Sequence, residues 1–125
     1  MTLDRSASVT DNRGLTLCEF PAFRQDADRL FSTDELDELR WLLAHDPEAG
    51  VRIPGTGGIR ELRFGVEKKG KGMRGGSRVI YYYHHRAIPL ALLAVYEKGE
   101  KIDLSADDKK IIKGLVDEYV KSFKS

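Results

Sequence analysis

A lone cysteine, Cys18, can form no internal disulfide, and with no Cys or His beside it the residue offers no structural zinc site. Burial must hold the fold. Long hydrophobic runs are missing as well: the longest, Ile88 to Tyr96, is nine residues and contains Pro89, against the ~20 that cross a bilayer as a helix. No membrane partner is expected. The first fifteen residues carry Asp4, Arg5, Asp11 and Arg13 without an apolar stretch, so a secretory signal is not expected and the expected location is cytoplasmic. No G-K-[ST] occurs, which leaves out a phosphate loop of the nucleotide-hydrolase kind. Gly70-Lys71-Gly72-Met73-Arg74-Gly75 matches G-x-G-x-x-G, but a strand pattern follows it where a dinucleotide site needs a helix, so no cofactor is expected. Histidine is scarce too: His84 and His85 are neighbours that point to opposite faces of a strand and His45 is far away, so no metal site is expected.

What is present suits one domain. In 125 residues, 41% hydrophobic and 33% charged, there is enough apolar material for a core and too little chain for two. The net charge is only +1, yet the charges are segregated. Thr16 to Ala49 holds three basic and nine acidic residues, a net of −6, whereas Arg60 to Arg78 holds seven basic and two acidic, a net of +5. Fields are screened beyond ~8–10 Å in physiological salt, so a polyanion senses the local patch rather than the average.

Residues 1–14 are polar and aperiodic, which predicts a flexible N-terminal extension ahead of a domain over 15–125. Leu15 to Phe20 is short, apolar and β-prone, a strand. Pro21 suits a first helical position, and Phe23, Ala27 and Leu30 follow at helical spacing. Ser32-Thr33-Asp34-Glu35 forms a capping-box pattern opening a second helix, with Leu36, Leu39, Leu42 and Leu43 on one face and a stop at Asp46-Pro47. The acidic residues of its first turn read as charges that suit a helix N-terminus rather than as catalytic carboxylates.

Eight of the twelve glycines lie between Gly55 and Gly76, around a strand at Arg60 to Val66 whose Leu62, Phe64 and Val66 share one face while Arg63 takes the other. Arg78 to His84 and Ile88 to Tyr96 are two further strands, the second apolar on both faces and therefore central. Ser105 with Asp108 caps a C-terminal helix bearing Ile111, Ile112, Leu115, Val116, Tyr119, Val120 and Phe123. The expected order is β-α-α-β-β-β-α, an α+β domain.

Within the basic stretch, Gly70, Gly72, Gly75 and Gly76 let the backbone approach a ligand closely, and Lys68, Lys69, Lys71 and Arg74 supply cations for phosphates. That combination points to a nucleic-acid backbone. Tyr81, Tyr82 and Tyr83 follow, and an outward-facing one can stack on a base.

Three ordered motifs carry a resemblance: Pro54-Gly55-Thr56-Gly57-Gly58-Ile59-Arg60-Glu61-Leu62-Arg63, then Lys69 to Tyr82 (KGKGMRGGSRVIYY), then Val95-Tyr96-Glu97-Lys98. Over roughly 16–124 the chain resembles the HigB branch of the RelE-like toxins of bacterial type II toxin-antitoxin pairs. The resemblance implies a small RelE/ParE-like domain, a twisted antiparallel sheet with helices packed on it. It also implies a toxin that enters the ribosomal A site and cuts mRNA there as a metal-independent endoribonuclease. A cognate antitoxin, with a helix-turn-helix domain, is the expected partner beside the ribosome and mRNA. Carried over by residue, Arg63, Arg78 and Lys98 fall on the family's functional basic positions, and Arg60, Lys68, Lys69, Lys71 and Arg74, with Tyr82, are the expected RNA contacts. The chain departs from the pattern at Met73, in a run that is often basic, and lacks the tyrosine near the C-terminus that some relatives use. Two other readings keep the same residues: a gyrase-inhibiting toxin on the same fold, and an RNA-binding module without chemistry.

Overall fold

The computed structural model describes residues 14–65, 76–97, 99 and 104–123. The elements run β1 (Leu17–Glu19), α1 (Pro21–Leu30), α2 (Thr33–His45), β2 (Val51–Arg52), β3 (Ile59–Phe64), β4 (Ser77–Tyr82), β5 (Leu90–Glu97) and α3 (Ala106–Lys121). Five strands make one sheet in the order β1-β5-β4-β3-β2. Antiparallel pairing joins β2 through β5, but β1 lies parallel to β5, with Leu17 opposite Leu90 and Glu19 opposite Leu92. The sheet is therefore mixed, which corrects the expectation of an antiparallel one. Alternation within a strand fixes its two faces but says nothing of the direction of its neighbour. The expected order also lacked β2, whose two exposed residues give no periodic signal.

The helices cap themselves as their sequences foretell. Pro21 takes a first-turn position in α1, where a missing N–H is harmless. In α2 the Ser32 hydroxyl accepts from the Glu35 amide at 3.1 Å and the Glu35 carboxylate accepts from the Ser32 amide at 2.8 Å. Ser105 and Asp108 repeat the exchange in α3 at 3.0 and 3.1 Å. Each box satisfies two backbone donors that a helix start otherwise leaves open.

Two apolar clusters sandwich the sheet. Phe23, Ala27 and Leu30 of α1 and Leu36, Leu39 and Leu43 of α2 pack with Val79, Tyr81, Leu90, Leu92 and Val95 on one face. Val116 and Tyr119 of α3 pack with Cys18, Ile59, Ile80, Ala91 and Leu93 on the other. Strand β5 supplies both, as its two apolar faces predict, and lies between β1 and β4. Opposite Ile80 and Tyr81, β5 carries one extra residue, so Leu93 and Ala94 both turn toward α3 and the alternation resumes with Val95 on the other face. A bidentate pair, half-buried Arg40 to buried Glu19 at 2.6 and 3.1 Å, ties α2 to β1. The Glu19 hydrogen bond outweighs burial and raises the affinity of Arg40 for its proton.

Candidate functional site

The Pro54-Gly55-Thr56-Gly57-Gly58 motif is a turn that sets the register of β3. Its Thr56, nearly sealed from solvent, donates to the Ile53 carbonyl at 2.6 Å and accepts from the Ile59 amide at 3.2 Å. Gly57 and Gly58 take φ of +76° and +113°, which side chains with a Cβ rarely adopt. The Ile53 amide then donates to the Ile59 carbonyl at 2.8 Å, and Arg52 falls opposite Arg60 and Val51 opposite Glu61.

From that register the two faces of β3 diverge. Arg60 and its cross-strand partner Tyr81 lie on the α1/α2 side at the corner where α2 runs into β2. Arg60 donates to the Gly50 carbonyl at 2.7 Å and the Glu48 carbonyl at 3.3 Å, with its side chain only 11% exposed. Tyr81 is fully buried, accepts from the Gly50 amide at 2.8 Å and donates to the Pro47 carbonyl at 2.8 Å. Burial, opposed by the Gly50 hydrogen bond and then by the Arg60 charge, pushes the Tyr81 hydroxyl above its ordinary 10.0. Gly50 is required where it stands: a Cβ there would meet the Glu61 carbonyl at 2.8 Å and the Tyr81 ring at 2.9 Å.

On the opposite face Arg63 stands directly across from Arg78, and Arg78 in turn across from Tyr96. Two like charges in register repel each other. The sheet answers with Glu61, two residues before Arg63 and thus on the same face, whose carboxylate accepts from Arg78 at 2.5 Å. Arg63 is exposed, while the side chains of Arg78 and Glu61 are 14% and 23% exposed. Glu61 and Arg63 also line a cleft of about 510 Å³ that runs between β2 and the start of α3. The trio can bind one anion between two guanidinium groups and hold one carboxylate beside it.

Of the expected site residues, Arg63 and Arg78 come together and Arg60 does not join them. Tyr82 shares their face but sits four residues beyond Arg78, roughly 13 Å at the usual rise of a strand. There it lines a separate cleft of about 410 Å³ with Lys113, Asp117 and Lys121. Its hydroxyl lies 3.2 Å from His84 Nδ1, and burial, then the charge of Asp117, raises its pKa. Lys68, Lys69, Lys71, Arg74 and Lys98 lie outside the described residues. Glu61 is the functional candidate that sequence reasoning passed over, although its i, i+2 spacing from Arg63 put it on the same face of a strand. Among the described residues no group of three or more His, Cys, Asp or Glu is placed to hold a metal, and no helix is long and apolar enough to cross a membrane. No protein-family model matches the chain.

Proposed function

We propose that this chain is a RelE-like toxin of the HigB branch, a metal-independent endoribonuclease that cuts mRNA in the ribosomal A site and is silenced by a cognate helix-turn-helix antitoxin. The observation that carries the reading is the Arg63–Arg78 pair, in register on one face with the Glu61 carboxylate on it. RNA cleavage by transesterification asks for groups of these kinds. A phosphodiester that enters between the arginines takes the place of Glu61 as the counter-ion of Arg78. Glu61, released but held within the same patch, accepts the proton of the 2′-hydroxyl. The 2′-oxygen then bonds to phosphorus, the two guanidinium groups stabilise the added negative charge, and the bond from phosphorus to the 5′-oxygen breaks. Lys98 is the proposed source of the proton that the leaving oxygen takes up, since an arginine hardly deprotonates. The products are a 2′,3′-cyclic phosphate and a 5′-hydroxyl. The ribosome supplies the in-line alignment that three side chains on one face of a sheet do not impose by themselves.

The test is translation in vitro with the 5′ ends of the mRNA mapped. Fragments with 5′-hydroxyl ends inside the A-site codon are the expected result. Intact mRNA together with blocked supercoiling by gyrase would overturn it in favour of the gyrase-inhibiting reading.

A further inference from the structure

The cleft beside Glu61 and Arg63 has walls that the cleavage chemistry leaves unused. Val51 and Ile53 form one side and Leu104 the other, with Lys109 of α3 reaching the same space. Val51 is 74% exposed, a large apolar residue standing in solvent on an edge strand. Lys109 occupies the fourth position of α3. A cation there opposes the helix dipole, so its placement does nothing for the helix. At about 510 Å³ the space falls within the ~300–1,000 Å³ of pockets that hold small ligands.

We infer that this cleft receives one base of single-stranded RNA, that of a nucleotide adjoining the scissile phosphate, with Lys109 on a neighbouring phosphate. The inference rests on the cleavage reading and adds the substrate contact that reading lacks. A nucleobase has two apolar faces and a polar edge, which matches apolar side walls closed by charged groups. Continuity fixes which nucleotide it is: Glu61 and Arg63 belong both to the cleft and to the phosphate site, so a base lodged here and a phosphate lodged there are neighbours on one strand. The cleft beside Tyr82 fits worse, because it shares no residue with the arginine pair.

Two variants test the inference. Val51→Trp fills the space from an exposed position that the fold tolerates, and Lys109→Ala removes the charge. Each is measured in two ways: cleavage rate against toxin concentration in translation reactions, and anisotropy of a fluorescein-labelled single-stranded RNA whose 2′-hydroxyls are replaced by hydrogen. Both variants should weaken RNA binding by about 10-fold, Val51→Trp by closing the cleft to the base and Lys109→Ala by losing one phosphate contact. The toxin concentration at half-maximal rate should rise to match, with the maximal rate little changed, and Val51→Trp should redistribute the cut sites among codons. Binding, concentration dependence and cut sites that stay at wild-type values in both variants would overturn the cleft assignment while cleavage itself stands. Loss of RNA binding in both variants, in a protein whose wild type cuts no mRNA, would support the cleft and overturn the cleavage reading instead.

Discussion

Arg60 and Arg63 lie in one hexapeptide strand and meet opposite fates. Arg60 turns to the helical side, where two backbone carbonyls hold it at the α2–β2 corner together with Tyr81. Arg63 turns to the other side, exposed, opposite a second arginine and next to a carboxylate. The same residue type is thus a bracket at one position and a candidate reagent three residues on. The difference lies in what the site leaves to do. Carbonyl oxygens that would otherwise lie open at the corner consume Arg60, whereas Glu61 balances the arginine pair in a form that an incoming phosphate can replace.

The widest expected gap between the two faces is chemical. Glu61→Gln should slow mRNA cleavage about 10²- to 10⁴-fold per folded molecule, the usual worth of a positioned base, with the domain still folded. A variant that cuts at full rate would reduce Glu61 to the counter-ion of Arg78. Arg60→Ala should do the reverse, costing about 1.5–3 kcal/mol in denaturant unfolding, the range for hydrogen bonds to a charged group, while the folded fraction keeps its cleavage rate. Tyr81→Phe belongs to the same corner and should cost about 1–3 kcal/mol, because it strands the Gly50 amide and the Pro47 carbonyl. Its pH dependence has a definite sign. The folded-state pKa of Tyr81 is raised, so its stabilising share is complete below the ordinary 10.0 and is lost as pH rises through the higher folded value. Alkaline unfolding curves should therefore be shallower for Tyr81→Phe than for wild type, and equal slopes would contradict the buried-hydroxyl account. Ser32→Ala, at the start of α2 on the side of the sheet away from the arginine pair, should cost about 1 kcal/mol through its lost cap and leave cleavage unchanged.

Period and punctuation made most of the architecture readable. The three helices, both capping boxes and the two-faced β5 follow from spacing and from Ser, Pro and Leu positions. The parallel docking of β1 and the two-residue β2 do not, since register and strand direction come from long-range pairing. Half of the site was readable in the same way: alternation sends Arg63 outward, and the motif likeness singled out Arg78. The motif likeness kept Arg60 as an RNA contact, although the alternation that sends Arg63 outward puts Arg60 on the face of Leu62 and Phe64, where two carbonyls hold it. It also concealed Glu61, which meets Arg78 only once β4 lies alongside β3. Tyr81 and Tyr82 divide similarly, one buried as a hydrogen-bonding brace and the other turned toward α3.

The most direct test of the divided strand is one comparison in a single translation reaction: Arg63→Ala/Arg78→Ala against Arg60→Ala, each normalised to its folded fraction, with mRNA fragments counted over time. If the two faces divide as described, the double variant stays folded and cuts at least ~10²-fold more slowly, the cost of losing donors to the transition state. Arg60→Ala is then less stable yet cuts at the wild-type rate per folded molecule. Full-rate cleavage by the double variant, or a folded Arg60→Ala protein that has lost activity, would contradict the assignment of chemistry to one face of β3 and of support to the other.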